Sequence, residues 1–356
     1  MAQIDNAAIY PVLATPVGTD ILLGYRPTGS DPMDRFLVST LPFVAASQLV
    51  GTKNRVINGY PFVDQRNSGA SQTITASAAL AYTVDRWYAY CTGANVTGQQ
   101  VQVNGLYRYR FTGAASVTAV GFGQRIEARN CADLAGATAT LQVKLSSSAL
   151  TSITWTAYYA TTADTFGTLA SPTRTSTGTG TFTITATEAT YSAQIAISAS
   201  AITGIEIVFT GGALVASQTL TIGDVQLEAG SALTPFERKQ IGDELLLAQR
   251  YFNQMSGASY TLCTGLSYST VNSNGSIDFP VQMRAMPTIL VLNQTDFIVT
   301  NGALSGISTT SAGSLYVSQF GFEFTVAVAS GLTAGQASLL RTGSGGIGKI
   351  QISAEL

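Results

Sequence analysis

The sequence predicts an all-β protein, and three observations carry that prediction. Apolar residues alternate with polar ones at period two over much of the chain, as in Tyr107, Tyr109 and Phe111 or Leu141, Val143 and Leu145. Clusters of Gly, Ser and Thr interrupt these runs and supply turns. Only 11% of the 356 residues are charged while 46% are hydrophobic, and small and hydroxyl-bearing residues fill the gap, with Thr and Val favouring strands. Short strands with regular turn signals indicate a β-sandwich or jelly roll.

Residues 1–51 hold two short apolar runs, Ile21–Leu23 and Phe36–Val38, between Gly and Pro turns. These suffice for one small hairpin but not for an independent core, so the segment reads as an N-terminal arm. Residues 52–238 are the first β domain. Val101 with Val103, Ile153 with Trp155 and Ala157, Ile195 with Ile197, Ile205 with Ile207 and Phe209, and Leu220 with Ile222 continue the alternation. STGTGT at 176–181 reads as a separator, and CADLA at 131–135 as one helical turn. Residues 239–253 are a helical connector. Residues 254–356 are a second β unit, with strand-like runs in TLCTGLSYS, GSIDFPVQM, TILVLNQ, SLYVSQF, GFEFTVAVA and KIQISAEL that suit a compact β-sandwich. The stretches 300–314 and 329–337 read as long, weakly charged loops.

Between the two β units, Thr234-Pro235-Phe236-Glu237 admits two readings. It fits an N-cap Thr, a first-turn Pro and a Glu three residues on. It also fits an extended strap held by Pro235, with the helix starting at Asp243. The strap is preferred, because Gly242 would weaken a longer helix. Ile241, Leu245, Ala248 and Phe252 then recur at spacings of four, three and four, a coiled-coil-like seam, while Leu246 and Leu247 lie off it. So wide an apolar face needs cover on several sides, which copies of the same helix would supply. Ile241, Leu245, Leu246, Ala248 and Phe252 are therefore the predicted trimer interface.

The chain contains no histidine, which removes the Ser-His-Asp triad, the Cys-His pair and most catalytic zinc sites. Cys91, Cys131 and Cys263 are far apart, lack metal-ligand spacing and read as reduced thiols. GSGGIG at 343–348 matches the dinucleotide pattern, but a strand-like run follows it where a helix is required, so it reads as a turn. Asp64, Asp85, Glu127, Asp133 and Asp164 are the carboxylates that would have to pair for glycoside hydrolysis; nothing in the sequence brings two together, and Asp85 beside Arg86 reads as a structural ion pair. Trp87 and Trp155 sit mid-strand and read as core, whereas Tyr88 or Tyr158, if exposed, would be free to meet a sugar ring. No catalytic, cofactor-binding or metal-binding residue is predicted. A net charge of -2 without a basic patch argues against nucleic acid, no run reaches membrane-span length, and the first residues lack the pattern of a signal peptide.

Three segments carry a resemblance. VQLEAGSALTPFERK (225–239) followed by GDELLLAQRYF (242–252) resembles the junction in phage tail-fibre proteins, where a jelly-roll domain ends and a short "CQRYY"-like helix leads into a distal tip domain. NRVINGYPFVDQRNSGAS (54–71) with YTVDRWYAY (82–90) resembles the opening of the same jelly roll, which is similar to carbohydrate-binding modules, and FPVQMRAMPTI (279–289) resembles the strand that opens the tip. The matches cover roughly residues 52–290. The resemblance implies a homotrimeric, non-enzymatic virion protein that binds a host-surface glycan or protein. It places receptor contact beyond the helix, and it makes residues 1–51 an arm that docks on other tail or baseplate proteins. The alternatives are a virion-bound polysaccharide depolymerase and a head fibre or capsid decoration protein.

Overall fold

A computed structural model describes residues 21–25, 33–37, 53–77, 79–301 and 306–356. Met1–Gly51 and Thr52–Leu356 are two separate units. In the first, β1 (Ile21–Tyr25) and β2 (Met33–Leu37) pair antiparallel, Ile21 opposite Leu37, which is the expected hairpin. The remainder of the expected attachment arm lies outside the described residues.

The second unit opens with a two-sheet sandwich, built from β3 (Gln72–Ile74), β4 (Ala81–Tyr82), β5 (Tyr88–Thr92), β6 (Val96–Val103), β7 (Leu106–Thr112), β8 (Ala119–Ile126), β9 (Thr138–Ser147), β10 (Ser152–Ala160), β11 (Arg174–Thr183), β12 (Ala189–Ala196), β13 (Ile205–Gly211) and β14 (Thr219–Ala229). One six-stranded sheet has the order β11-β10-β13-β8-β5-β4, the other β12-β9-β14-β7-β6-β3. The chain changes sheet at most connections, which gives the jelly-roll winding. β6 and β7 are joined through Asn104-Gly105, both at positive φ, the backbone that a two-residue hairpin requires. Between the sheets, Trp87 stacks on Phe122 with ring centroids 4.5 Å apart, and Tyr109 stacks on the same ring at 4.7 Å.

Two local expectations change. The STGTGT stretch is not a separator but part of β11, paired along β10. The indole of Trp155 lies against it: a Cβ on Gly180 would stand 2.8 Å from the ring, so the glycines that looked like turn residues make room for a core aromatic. The helical turn falls earlier than expected, as α1 (Ala128–Cys131), continued by a 3-10 turn at Ala132–Leu134.

After β14 the chain runs extended through Gln240 and enters α2 (Ile241–Gln249). The strap reading therefore holds, with the helix starting two residues before Asp243. Then come β15 (Phe252–Ser256), β16 (Thr261–Ser267), β17 (Asn272–Asp278), β18 (Thr288–Leu292), β19 (Phe297–Asn301), β20 (Ile307–Leu315), β21 (Gly321–Val328), β22 (Ala337–Thr342) and β23 (Lys349–Ser353). This part is all β, as expected. It differs from two open sheets in that β16-β17-β21-β20-β19-β22 close into a barrel, with β15-β23-β18 as a three-stranded sheet beside it. Ile350 and Ile352 of that sheet share one core with Phe297, Phe324 and Leu340 of the barrel. The expected loop at 300–314 is largely β20, because Thr309 and Ala312 turn inward among small hydroxyl residues. GSGGIG is a loop between β22 and β23, as expected; it wraps the Asp296 carboxylate, which accepts from Ile347 N and Gly348 N at 2.7 Å.

The last residues return to the sandwich. Glu355 accepts from Arg66 at 2.9 Å and from the buried Arg86, while Tyr82 Oη and Arg125 Nη1 donate to the main-chain oxygen of Leu356 at 2.8 and 2.7 Å. Among the described residues no helix is long and apolar enough to cross a membrane.

Candidate functional site

The opening of the sandwich holds two aromatic rings in place. Asn58, at φ 56°, accepts from Phe62 N and Val63 N through its side-chain oxygen and donates to Val63 O and Asp85 O. A Cβ on Gly59 would stand 2.1 Å from Val225 O, so only glycine lets this loop lie on β14, where Val225 N donates to Gly59 O at 2.8 Å. Pinned this way, Tyr60 and Phe62 project side by side with their planes 1° apart. Tyr107, at the start of β7, presents its edge to both, at 5.8 and 5.0 Å.

The strap forms the opposite wall. Glu228 accepts from both Thr234 N and Thr234 Oγ1, and Gln226 Oε1 accepts from Glu237 N. Glu237 accepts from Asn54 N at 2.8 Å, and Lys239 Nζ donates to the carbonyls of Asn54 and Val56. The polar residues of the QLE and TPFE runs thus tie the strap to the first residues of the sandwich. Arg238 reaches Asp224 and lies 4.2 Å over the Tyr60 ring. Glu244, in the first turn of α2, accepts from Asn58 N, and burial raises its carboxyl above the ordinary range despite the Lys239 charge nearby.

The result is a groove of about 360 Å³, within the size range of small-ligand clefts. Tyr60, Phe62, Tyr107 and Phe236, with Ile241 of α2, supply its apolar surface, and Glu237, Arg238, Lys239 and Glu244 border it. Such a surface suits a ligand with apolar faces and polar edges. Sequence reasoning placed Tyr107 in an alternating strand and Phe236 in the strap but assigned none of the four aromatics to a site, because three of them lie in loops or the strap, where alternation gives no signal. Asn-Gly beside Pro is the one local cue that the loop is a built turn.

The predicted residues are placed as follows. Trp87 and Trp155 are core, as expected. Tyr88 is not exposed: it is 1% accessible, and its hydroxyl donates to the buried Glu206 at 2.6 Å. Tyr158 is half-buried under Arg174. Asp85 is bonded to Gln65 rather than paired with Arg86, and Arg86 serves Glu355 instead. Glu127 and Asp164 do share a polar cavity of about 230 Å³ with Arg129, Arg250 and Arg284, but Glu127 is bonded to Arg250 and Asp164 caps Ala128 N. Asp64, Asp85 and Asp133 lie apart from it. Among the described residues no group of His, Cys, Asp and Glu is arranged to hold a metal ion.

The predicted seam does not present one free face. Ala248 packs with Tyr251 on Ile57 and Val63. Phe252 is buried and begins β15, with the Arg66 guanidinium 3.4 Å above its ring. Leu245 is half-buried, and only Ile241 and Leu246 stand exposed, at 62% and 46%. Local packing takes up Ala248 and Phe252 because the chain turns out of the helix at Gln249 and drives the next residues into the sandwich.

No protein-family model and no curated protein matches the chain. Among solved structures it is similar to a CBM4 domain (17% identity, TM-score 0.31, covering 49% of this chain and 98% of that one). It is similar to the C-terminal family 22 carbohydrate binding module of Clostridium thermocellum Xyn10B (14%, TM-score 0.28, 50% and 98%). It is also similar to the enzymatically active domain of tailspike protein 4 from bacteriophage CBA120 (13%, TM-score 0.30, 50% and 22%). At these levels the likenesses add nothing to the strand order described above.

Proposed function

We propose that this chain is a structural and adhesion protein of a phage virion, a homotrimeric tail-fibre component that binds a host-surface glycan without cleaving it. The observation that carries the glycan reading is the groove of Tyr60, Phe62, Tyr107 and Phe236. Its rings are fixed by main-chain bonds before any ligand arrives, which lowers the ordering cost of binding. Rings stack on the C–H faces of a sugar, and the bordering charged groups meet its hydroxyls. The virion assignment rests on the resemblance of the three segments to tail-fibre proteins. Docking on tail or baseplate proteins would fall to the arm, and a virion image with this chain labelled separates a tail fibre from a head fibre.

The test is binding of the full chain to immobilised bacterial surface polysaccharides. Tyr60→Ala and Tyr107→Ala should each weaken the strongest interaction about fivefold, from a ring–ligand contribution of about 1 kcal/mol. Unchanged binding in both variants would overturn the groove as the glycan site.

One observation favours a second reading, a polysaccharide depolymerase: Glu237 and Glu244 border the same groove, and Glu244 is raised by burial as a general acid must be. Both carboxylates are already engaged by main-chain N–H groups, which favours a structural role. Release of reducing sugar by the full chain, abolished in Glu244→Gln while binding persists, would establish the depolymerase instead.

A further inference from the structure

The barrel carries a second aromatic cleft, unrelated to the groove of the sandwich. Its floor is β17 and β21, with Ser276 opposite Glu323 and Asp278 opposite Gly321. Its wall is the connection from β20 to β21. The cleft measures about 300 Å³. Two large rings stand at its edge in open solvent, Tyr316 at 83% exposure and Phe320 at 64%.

The loop that carries them is braced at its C-terminal half. Ser318 N and Ser318 Oγ both donate to Gly321 O, at 2.9 and 3.0 Å, and Ser318 Oγ accepts from Phe320 N and Gly321 N. Phe279 N donates to Phe320 O at 2.8 Å, and Met283 N to Gln319 O at 2.9 Å. A Cβ on Gly321 would stand 2.4 Å from Ile277 O, so glycine is what lets the connection lie against β17. Tyr316 itself has φ 48°, a backbone region that bulky side chains seldom occupy. Strain of this kind, on an exposed ring beside a loop braced at Ser318, Gln319 and Phe320, is the pattern of a prepared contact. The polar side of the cleft is acidic: Glu323 accepts one bond, from Asn274 Nδ2 at 2.8 Å. Among the described residues the Asp278 carboxylate takes part in no salt bridge, and no cation lines the cleft.

The geometry points to a carbohydrate site that takes a neutral, hydroxyl-rich glycan across Tyr316 and Phe320. The rings supply stacking surface for pyranose C–H faces. Asp278 and Glu323 offer carboxylate oxygens that accept from sugar hydroxyls and repel carboxylated or sulfated glycans. The site lies in the part of the chain beyond α2, and its existence does not depend on the sandwich groove.

The experiment is saturation-transfer NMR on the full chain with two probes, a neutral galacto-oligosaccharide mixture and anionic oligogalacturonate. In a Tyr60→Ala/Tyr107→Ala background, which silences the sandwich groove, the protein should receive the neutral probe and not the anionic one. In that background Tyr316→Ala and Phe320→Ala, both at exposed positions, should each weaken neutral binding about tenfold, and Asp278→Asn should weaken it and admit the anionic probe. Tyr60→Ala should leave part of the transfer intact. If the neutral probe fails to bind, or binds equally in both ring variants, the inference is overturned; if Tyr60→Ala alone abolishes transfer, the sandwich groove stands and the barrel site falls. Binding of a host surface protein at Tyr316 and Phe320 with no transfer to either sugar would likewise overturn it.

Discussion

Asp85 shows how far one buried carboxylate departs from its behaviour in water. It is fully enclosed beneath the loop that carries Tyr60 and Phe62, and its partners are Gln65 N and Gln65 Nε2. Burial is the largest influence and pushes its pKa from 3.8 up to about 7, with the Gln65 bond opposing the shift. A folded value above the unfolded one means that the native state holds this proton longer. Stability from this group is therefore complete below about pH 4 and declines as pH rises toward 7. Asp85→Asn removes the titration. Unfolding free energies of the variant and the native chain should be close at pH 4, with the variant gaining by pH 8 an amount on the order of 4 kcal/mol. A difference that stays constant from pH 4 to pH 8 would show that Asp85 titrates normally. Other buried carboxylates are matched by cations or hydroxyls: Glu206 receives Arg125 and Arg174, Asp224 receives Arg108, Lys144 and Arg238, and Glu228 receives Thr234.

Strand β11 is the element whose sequence misleads most, and the reason can be tested. Its Gly178 and Gly180 look like turn residues, yet they face the Trp155 indole across the β10 pairing. Gly180→Ala would force a Cβ into that ring, and overpacking of this kind costs about 1–3 kcal/mol. Chemical denaturation should show that loss without a change in the far-ultraviolet spectrum; a neutral result would mean that Trp155 can shift. Alternation located β6, β7, β9, β10, β13 and β14. It was silent for β8, where Val120 and Phe122 alternate with Gly121 and Gly123, which lie under the Tyr90 and Tyr88 rings, and where the polar Gln124 and Arg125 are buried too. The core was thus legible in its alternating aromatics and aliphatics, and so was the strap, through Pro235 and Gly242. The groove was not, since its rings come from a loop, a strand end and the strap, and only tertiary bonds from Asn58, Gln226 and Glu228 bring them together. The barrel cleft was hidden differently: SLYVSQF reads as a strand, but the strand ends at Leu315 and the loop turns Tyr316 outward.

At the scale of the whole molecule, sandwich, helix and barrel within Thr52–Leu356 are interlocked rather than strung together. Arg86 stacks 3.5 Å over Tyr251 while it holds Glu355, and across the same junction Gln65 Nε2 donates to Phe252 O while Gln254 Nε2 donates to Gln65 O. A fragment starting at Asp243 would leave those partners uncovered, so binding and assembly are best measured on the full chain. Self-association then has to use what the chain leaves exposed. At about 100° per residue, Ile241, Leu245 and Leu246 span an arc of roughly 140° on α2, and Ala248 lies outside that arc, against the sandwich. Leu245 is partly committed to the same internal cluster, so placing a charge there would weaken the fold as well as any interface. Ile241→Asp combined with Leu246→Asp avoids that confusion, because both side chains already stand in solvent. Light scattering on the native chain should return three times the 37.1 kDa chain mass, and on the double variant the single-chain mass with its melting behaviour retained. A native chain that is monomeric at micromolar concentration would end the trimer proposal. A double variant that still weighs three chains would move the contact off α2, since two buried aspartates at a threefold axis cost far more than a helix of this length can supply.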